Sequence, residues 1–221
     1  MNDFQKYALS QGISTNKIES YSNYSLKNFI SPTILEERQL NVVGYDVFSR
    51  LMVDKIIYLG SPIDEDTANI VVSQLMYLNS IDDGSDIKLW INSPGGSVID
   101  GLAIYDVMNW VKPDVATYCM GMAASMGSIL LSSGEKGKRY ILPHGQIMVH
   151  QVSAGTQGVT ADMEIAIRQA KKHQDELYRI LAANTGKTPE EIAKFADRDC
   201  WFDAQEAVDF GLVDEIIRKA K

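Results

Sequence analysis

The sequence predicts an α/β fold, and three features carry that expectation. Short apolar runs alternate with segments of helical period from Ile56 onward. The runs are apolar almost throughout, as in parallel strands covered on both faces. Gly or Pro-Gly turns punctuate them at Gly60, Pro94-Gly95-Gly96, Gly121 and Pro143-His144-Gly145. With 221 residues, 45% apolar and 23% charged, the chain has the composition of a globular protein able to bury a sizeable core.

Residues 1–30 are rich in Ser, Asn, Tyr and Gln without a sustained period, and they are expected to form a mobile arm. A single domain is expected over 31–221, opening with a helix or turn between Val42 and Val53. Ile56 to Leu59 then reads as a strand. The helix after it has Asp64, Glu65 and Asp66 at its start and Ala68, Val71, Val72, Leu75 and Leu78 at helical spacing. Ile87 to Ile91 is the next strand. Ser97 to Val111 is the next helix, with Leu102, Tyr105, Met108 and Val111 on one face. Val115 to Cys119 is a third strand, followed after Gly121 by a buried helix from Ala124 to Ser132.

Two further strands, Arg139 to Leu142 and Gln146 to His150, flank the Pro143-His144-Gly145 turn. The small, polar stretch Ser153 to Gly158 is a loop. A long helix, about 161–184, then carries Met163, Ile167, Ala170, Gln174, Leu177 and Leu181 in a narrow seam suited to helix–helix contact. Gly186 ends it. Thr188, Pro189 and Glu191 supply the N-cap, first position and capping box of another helix.

The net charge of −8 leaves no basic stripe for nucleic acid. Lys136, Lys138 and Arg139 make the densest basic spot, read as a solvated turn. Cys119 and Cys200 lack metal-type spacing, so free thiols and a cytoplasmic setting are expected, with Cys119 buried. The N-terminus shows no signal pattern. Residues 115–134 contain no charge, but their glycines, serines and break at Gly121 suit a strand and helix rather than a membrane span.

The chemistry concentrates in two glycine-marked segments, Asn92 to Ser97 and Gly121 to Ser128. Gly95 and Gly96 allow backbone N–H groups close to a ligand, and Ser125 is a hydroxyl at a strand-to-helix junction. The N–H of Met126, just after the hydroxyl, is a natural second donor for an oxyanion. A base is needed. His173 reads as a solvated helix residue and His144 as a surface turn residue, whereas His150 ends an apolar strand, where open α/β folds place reactive groups. The orienting acid would come from Asp197, Asp199 or Asp203. Asp199 precedes Cys200, Trp201 and Phe202 and is expected to face a partly dry region. Asp203 reads as a helix N-cap and Asp197 as a solvated partner of Arg198. Spacing alone leaves that choice open.

Asn92 to Gly96, Gly121 to Gly127, Met148 to Gln151 and Glu206 to Asp214 together resemble the Clp protease family of proteolytic subunits, in order and with compatible spacing from about residue 42 to the end. The resemblance implies a Clp/crotonase-like fold of repeated β–β–α units, with 161–184 as a projecting handle helix. It implies Ser125 as nucleophile, His150 as general base and Asp199 as orienting acid. The N–H groups of Gly96 and Met126 would form the oxyanion hole. It further implies two stacked heptameric rings enclosing a chamber, unfolded polypeptides as substrates, and an AAA+ Clp-type unfoldase ATPase as partner. Trp90, Trp110 and Tyr140 occupy positions resembling the pockets that receive ATPase loops. No metal or cofactor is implied, and no nucleic-acid or membrane partner. The chain departs from the family after the His-Gln pair, where Val152 replaces the usual Pro, and in an N-terminal arm longer than usual.

Overall fold

The computed structural model describes residues 33–38 and 41–218, so the arm expected over 1–30 lies outside the described residues. The chain separates into two compact units, one ending at Arg50 and one beginning at Leu51. In the first, β1 (Thr33–Arg38) pairs antiparallel with β2 (Asn41–Asp46). The segment expected as helix or turn is therefore half strand. Val42, Val43 and Tyr45 favour extended backbone, and α1 (Val47–Val53) begins only after them. The Asp46 carboxylate accepts from the N–H groups of Phe48 and Ser49 at 3.0 and 3.1 Å, which starts that helix.

The second unit is an α/β body on a seven-stranded mixed sheet. Its strands are β3 (Ile56–Leu59), β4 (Ile87–Ser93), β5 (Val115–Ala124), β6 (Arg139–Ile141), β7 (Gln146–Val149), β8 (Cys200–Phe202) and β9 (Glu215–Ile216). The order is β3-β4-β5-β6-β9, with β7 beside the second half of β5 and β8 beyond β7. Only β7–β8 is antiparallel. The helices are α2 (Glu65–Ser80), α3 (Val98–Trp110), α4 (Met126–Ser132), α5 (Thr160–Thr185), α6 (Pro189–Phe195) and α7 (Ala204–Phe210).

Helix starts follow the capping chemistry in the sequence. Asp64 caps α2 by accepting from Thr67 N–H at 2.9 Å. Thr188 with Glu191 and Asp203 with Glu206 form reciprocal capping boxes on α6 and α7. Ala68, Val71, Leu75 and Leu78 of α2 are buried as the spacing predicts, while Val72 is only half-buried. On α3 the buried stripe is Gly101, Ile104 and Met108, one step round from the expected face; Leu102 and Tyr105 lie at its margin.

Two expectations about the sheet are corrected. The strands are not all covered on both faces: β7 and the start of β5 bury consecutive residues, but in β4 Ile87, Leu89, Ile91 and Ser93 are buried, while Lys88 and Asn92 between them are exposed. The run Ile87-Lys88-Leu89-Trp90-Ile91 has period two, and one sheet face carries the core. Nor does β5 stop at Cys119. It runs for ten residues by bending at Gly121, whose φ of +67° favours glycine. Thr117 to Cys119 pair with β6, Met122 to Ala124 pair with β7, and the register against β4 slips between Ile91 and Ser93. Asn92 Oδ1 accepts from Met122 N–H at 3.2 Å and would meet a Cβ at position 121 at 2.7 Å. A glycine read as a strand breaker is thus a bulge within one strand.

The basic spot at 136–139 is a solvated turn only at Lys136, which is exposed. Lys138 Nζ holds Asp86 and Asp114, each at 2.8 Å. Arg139 is buried, with Nη2 and Nε on the Asp214 carboxylate at 2.6 and 3.0 Å and Nη1 on the carbonyls of Ser132 and Asn184. Burial alone would raise the Asp214 carboxyl, but the Arg139 bonds outweigh it and hold the group below its ordinary value. With the folded value depressed, the pair's contribution is complete above about pH 4 and is lost as pH falls through the lower folded value. Asp214→Ala is expected to strand the guanidinium and cost about 3 kcal/mol. Thermal unfolding should show this as a fall of roughly 6–12 °C.

Helix α5 spans 26 residues, longer than expected, and ends at Gly186 with φ 73°. Its last turns bury Leu177, Tyr178, Ile180, Leu181 and Ala182. Its earlier turns are largely exposed, Ile165 and Ile167 included. No helix among the described residues is long and apolar enough to cross a membrane. Cys119 and Cys200 are free, and burial pushes the Cys119 thiol up to about 12.

Candidate active site

Parallel pairing of β5 with β7 sets Ala123 opposite Ile147 and Ala124 opposite Met148, so both strands end at the same sheet edge. The next residue of β5 is Ser125, and His150 follows β7 directly. Ser125 has φ 53° and ψ −122°, a strained conformation for a residue with a Cβ, costing about 1–3 kcal/mol. Hydrogen bonds hold it there. Its N–H donates to Met148 O at 2.8 Å, and its carbonyl accepts from Ser128 Oγ at 2.6 Å and Ser128 N–H at 2.9 Å. The turn swings the side chain out of the sheet, and Ser125 Oγ lies 2.8 Å from His150 Nε2.

His150 Nδ1 faces Asp199 Oδ1 at 3.4 Å, beyond an ordinary hydrogen bond but within ion-pair reach. The Asp199 side chain is 65% exposed, which corrects the expectation of a partly dry setting. β8 is an edge strand whose Trp201 is itself half-exposed, and only Phe202 turns into the core, so the residue preceding the strand is left in solvent. Asp203 caps α7, and Asp197 stands 3.9 Å from Arg198 with both side chains largely exposed. His144 is exposed, and His173 Nε2 lies 2.9 Å from Gln169 Nε2 on α5.

The Pro94-Gly95-Gly96 turn lies across Ser125. Ile63 N–H donates to Gly95 O at 2.9 Å and Ser97 N–H donates to Ile63 O at 2.8 Å, a parallel bridge centred on Gly96. In such a bridge the central residue's own N–H points away from its partner strand. Gly96 has φ +155°, and a Cβ there would fall 2.1 Å from Ile63 O. Gly96 and Met126 line the same cleft as Ser125 and His150, a space of about 250 Å³. Its apolar wall comes from Ile129, Val152, Leu177 and Leu181. The two α5 leucines were read in the sequence as seam residues, and their place beside Ser125 depends on long-range packing that no local motif signals.

The three aromatic positions do not come together as one group. Trp90 stacks on Tyr118 at 4.6 Å and Tyr118 on Tyr140 at 4.9 Å, because β4, β5 and β6 hold these residues in register. Tyr58 is the next residue in that row, opposite Trp90. Trp110 is 66% exposed at the end of α3 and is not part of the stack. Strand register, which no local motif signals, is what adds Tyr118 and Tyr58 to the row.

A mixed-sheet α/β body with a hydroxyl–imidazole pair at the end of two adjacent parallel strands defines a narrow class of protein. A model of the Clp protease family matches residues 38–220. The chain is 50% identical over 220 residues to the ATP-dependent Clp protease proteolytic subunit of Porphyromonas gingivalis strain W83, covering 99% of each chain. It is 50% identical to the subunit of that name from Bacteroides fragilis strain YCH46, covering 99% of this chain and 100% of the relative. For Bacteroides thetaiotaomicron the identity is 48% over 219 residues. The chain therefore belongs to the Clp protease family, and its fold is of the Clp/crotonase type. The alignments with these relatives span nearly the whole chain.

Proposed function

We propose that this chain is a serine endopeptidase subunit that cuts unfolded polypeptides to short peptides. The observation that carries the proposal is the 2.8 Å approach of His150 Nε2 to Ser125 Oγ at a strained strand-to-helix turn. Ser125 Oγ attacks the peptide carbonyl as His150 takes its proton, and the N–H groups of Gly96 and Met126 hold the resulting oxyanion. Asp199 stabilises the imidazolium, its 3.4 Å separation closing when substrate is bound. His150 then returns the proton to the departing amine, and water activated by the same imidazole hydrolyses the acyl-enzyme. The apolar cleft wall of Ile129, Val152, Leu177 and Leu181 favours an apolar side chain on the acyl side of the cut bond.

The relatives' name, ATP-dependent Clp protease proteolytic subunit, supports an AAA+ unfoldase as partner. The aromatic row of Trp90, Tyr118 and Tyr140 suits docking of its apolar loops. Two stacked heptameric rings in the cytoplasm complete the reading, with the exposed apolar residues of α5 turned toward the opposite ring. Native mass spectrometry should give fourteen copies in one particle, given two rings of seven. That particle should hydrolyse short peptides alone and degrade a folded protein only with the ATPase and ATP. A monomer with equal peptidase activity in wild type and Ser125→Ala would overturn the proposal.

A further inference from the structure

Gly101 sits in the interior of α3, on its buried stripe, although glycine is among the poorest helix formers. Its backbone is helical, so no special dihedral explains it. Contact does. A Cβ at position 101 would lie 2.2 Å from Met126 Cγ, 2.8 Å from Met126 Cε and 2.9 Å from Met126 Sδ. The missing side chain leaves a notch in α3, and the whole thioether arm of Met126 is folded into it.

Met126 joins two parts of the site. It is 1% exposed, follows Ser125 directly and opens α4, and the residue lines the cleft beside Ser125 while its thioether arm lies behind the cleft in the notch. Every atom beyond Cβ is within 3 Å of the notch position, so a small rotation cannot clear an added methyl. The surrounding interior, with Ile104, Ile129 and Leu130 all buried, is close-packed. The cleft of about 250 Å³ that Met126 helps to line is open space next to it. Methionine is flexible enough to take that route.

We propose that Gly101 is a positioning residue that sets substrate specificity: by holding Met126 out of the cleft, it fixes the depth of the pocket for the acyl-side residue. The inference rests on the serine-peptidase reading above and adds a determinant outside the cleft itself. Gly101→Ala drives the thioether into the pocket, so bulky residues at that position lose room and alanine does not. Hydrophobic pockets discriminate by about 10- to 200-fold per methylene.

The test is steady-state hydrolysis by the full-length assembled protein of peptides differing only at the acyl-side residue: Ala, Leu and Phe. Gly101→Ala should lower kcat/KM for Leu and Phe at least about 10-fold relative to Ala, mainly through KM. Adding Met126→Ala should restore Leu and Phe, because the backbone N–H stays while the obstruction goes. Met126→Ala alone should shift preference from Leu toward Phe, which keeps the proposal testable if Gly101→Ala does not fold. A uniform loss across the three peptides, no rescue by Met126→Ala, or no shift toward Phe in the single variant would overturn it. Wild-type protein without peptidase activity would instead overturn the serine-peptidase reading, and this inference with it.

Discussion

Ser125→Ala is expected to reduce peptide hydrolysis by about 10⁴- to 10⁶-fold while leaving the fold intact. The turn that presents the hydroxyl is held by backbone and Ser128 bonds that alanine keeps: Ser125 N–H to Met148 O and Ser128 to Ser125 O. His150→Ala should cost a similar factor, and the double variant little more, because in the proposed mechanism nucleophile and base act as one unit. Asp199→Asn should cost less than either. Its carboxylate is 65% exposed and 3.4 Å from the imidazole, so solvent already weakens the interaction it supplies. Steady-state kinetics on the three single variants and the double variant will check this order.

Gly96→Ala should give the next largest loss. The added Cβ would fall 2.1 Å from Ile63 O and 2.8 Å from Ile63 N, both backbone atoms that cannot rotate away, at a φ of +155°. The bridge to Ile63 must open, and the Gly96 N–H leaves its direction. Loss of one oxyanion donor costs about 100- to 1000-fold, expressed mainly in kcat. Gly137→Ala is the matched control. It also has positive φ (+87°), but nothing lies within 4 Å of its Cβ position. It should lower stability by about 1 kcal/mol and leave kcat unchanged. Equal kcat losses in the two variants would show that backbone strain, not donor placement, is being measured.

Local signals were legible in the sequence, and signals that need register were not. The caps at Thr188 and Asp203 obey rules written within four residues, and both operate in the structure, while Asp64, expected only as an acid of the first turn, is itself the cap of α2. The apolar periodicity of α2 identified its core face. Gly121 misled because a strand breaker and a bulge glycine look alike until Asn92, on another strand, is seen to pin Met122. The solvated reading of Arg139 failed for the same reason: Asp214 is 75 positions away in sequence. Within the site, Ser125 and His150 were legible as a junction hydroxyl and a strand-end histidine. The Met126 donor was legible from its place just after Ser125, whereas the choice of Asp199, and of Gly96 over Gly95, came from family resemblance. Spacing could not show that Asp199 faces solvent, because burial beside an edge strand depends on which aromatic neighbours turn inward.

Fluorophosphonate labelling of the assembled protein, read by intact mass and peptide mapping, tests the pairing of Ser125 with His150 most directly. One adduct per chain, on Ser125, should form in the wild type and be slowed by at least about 10³-fold in His150→Ala. An adduct on another residue, or undiminished labelling of Ser125 without His150, would contradict it.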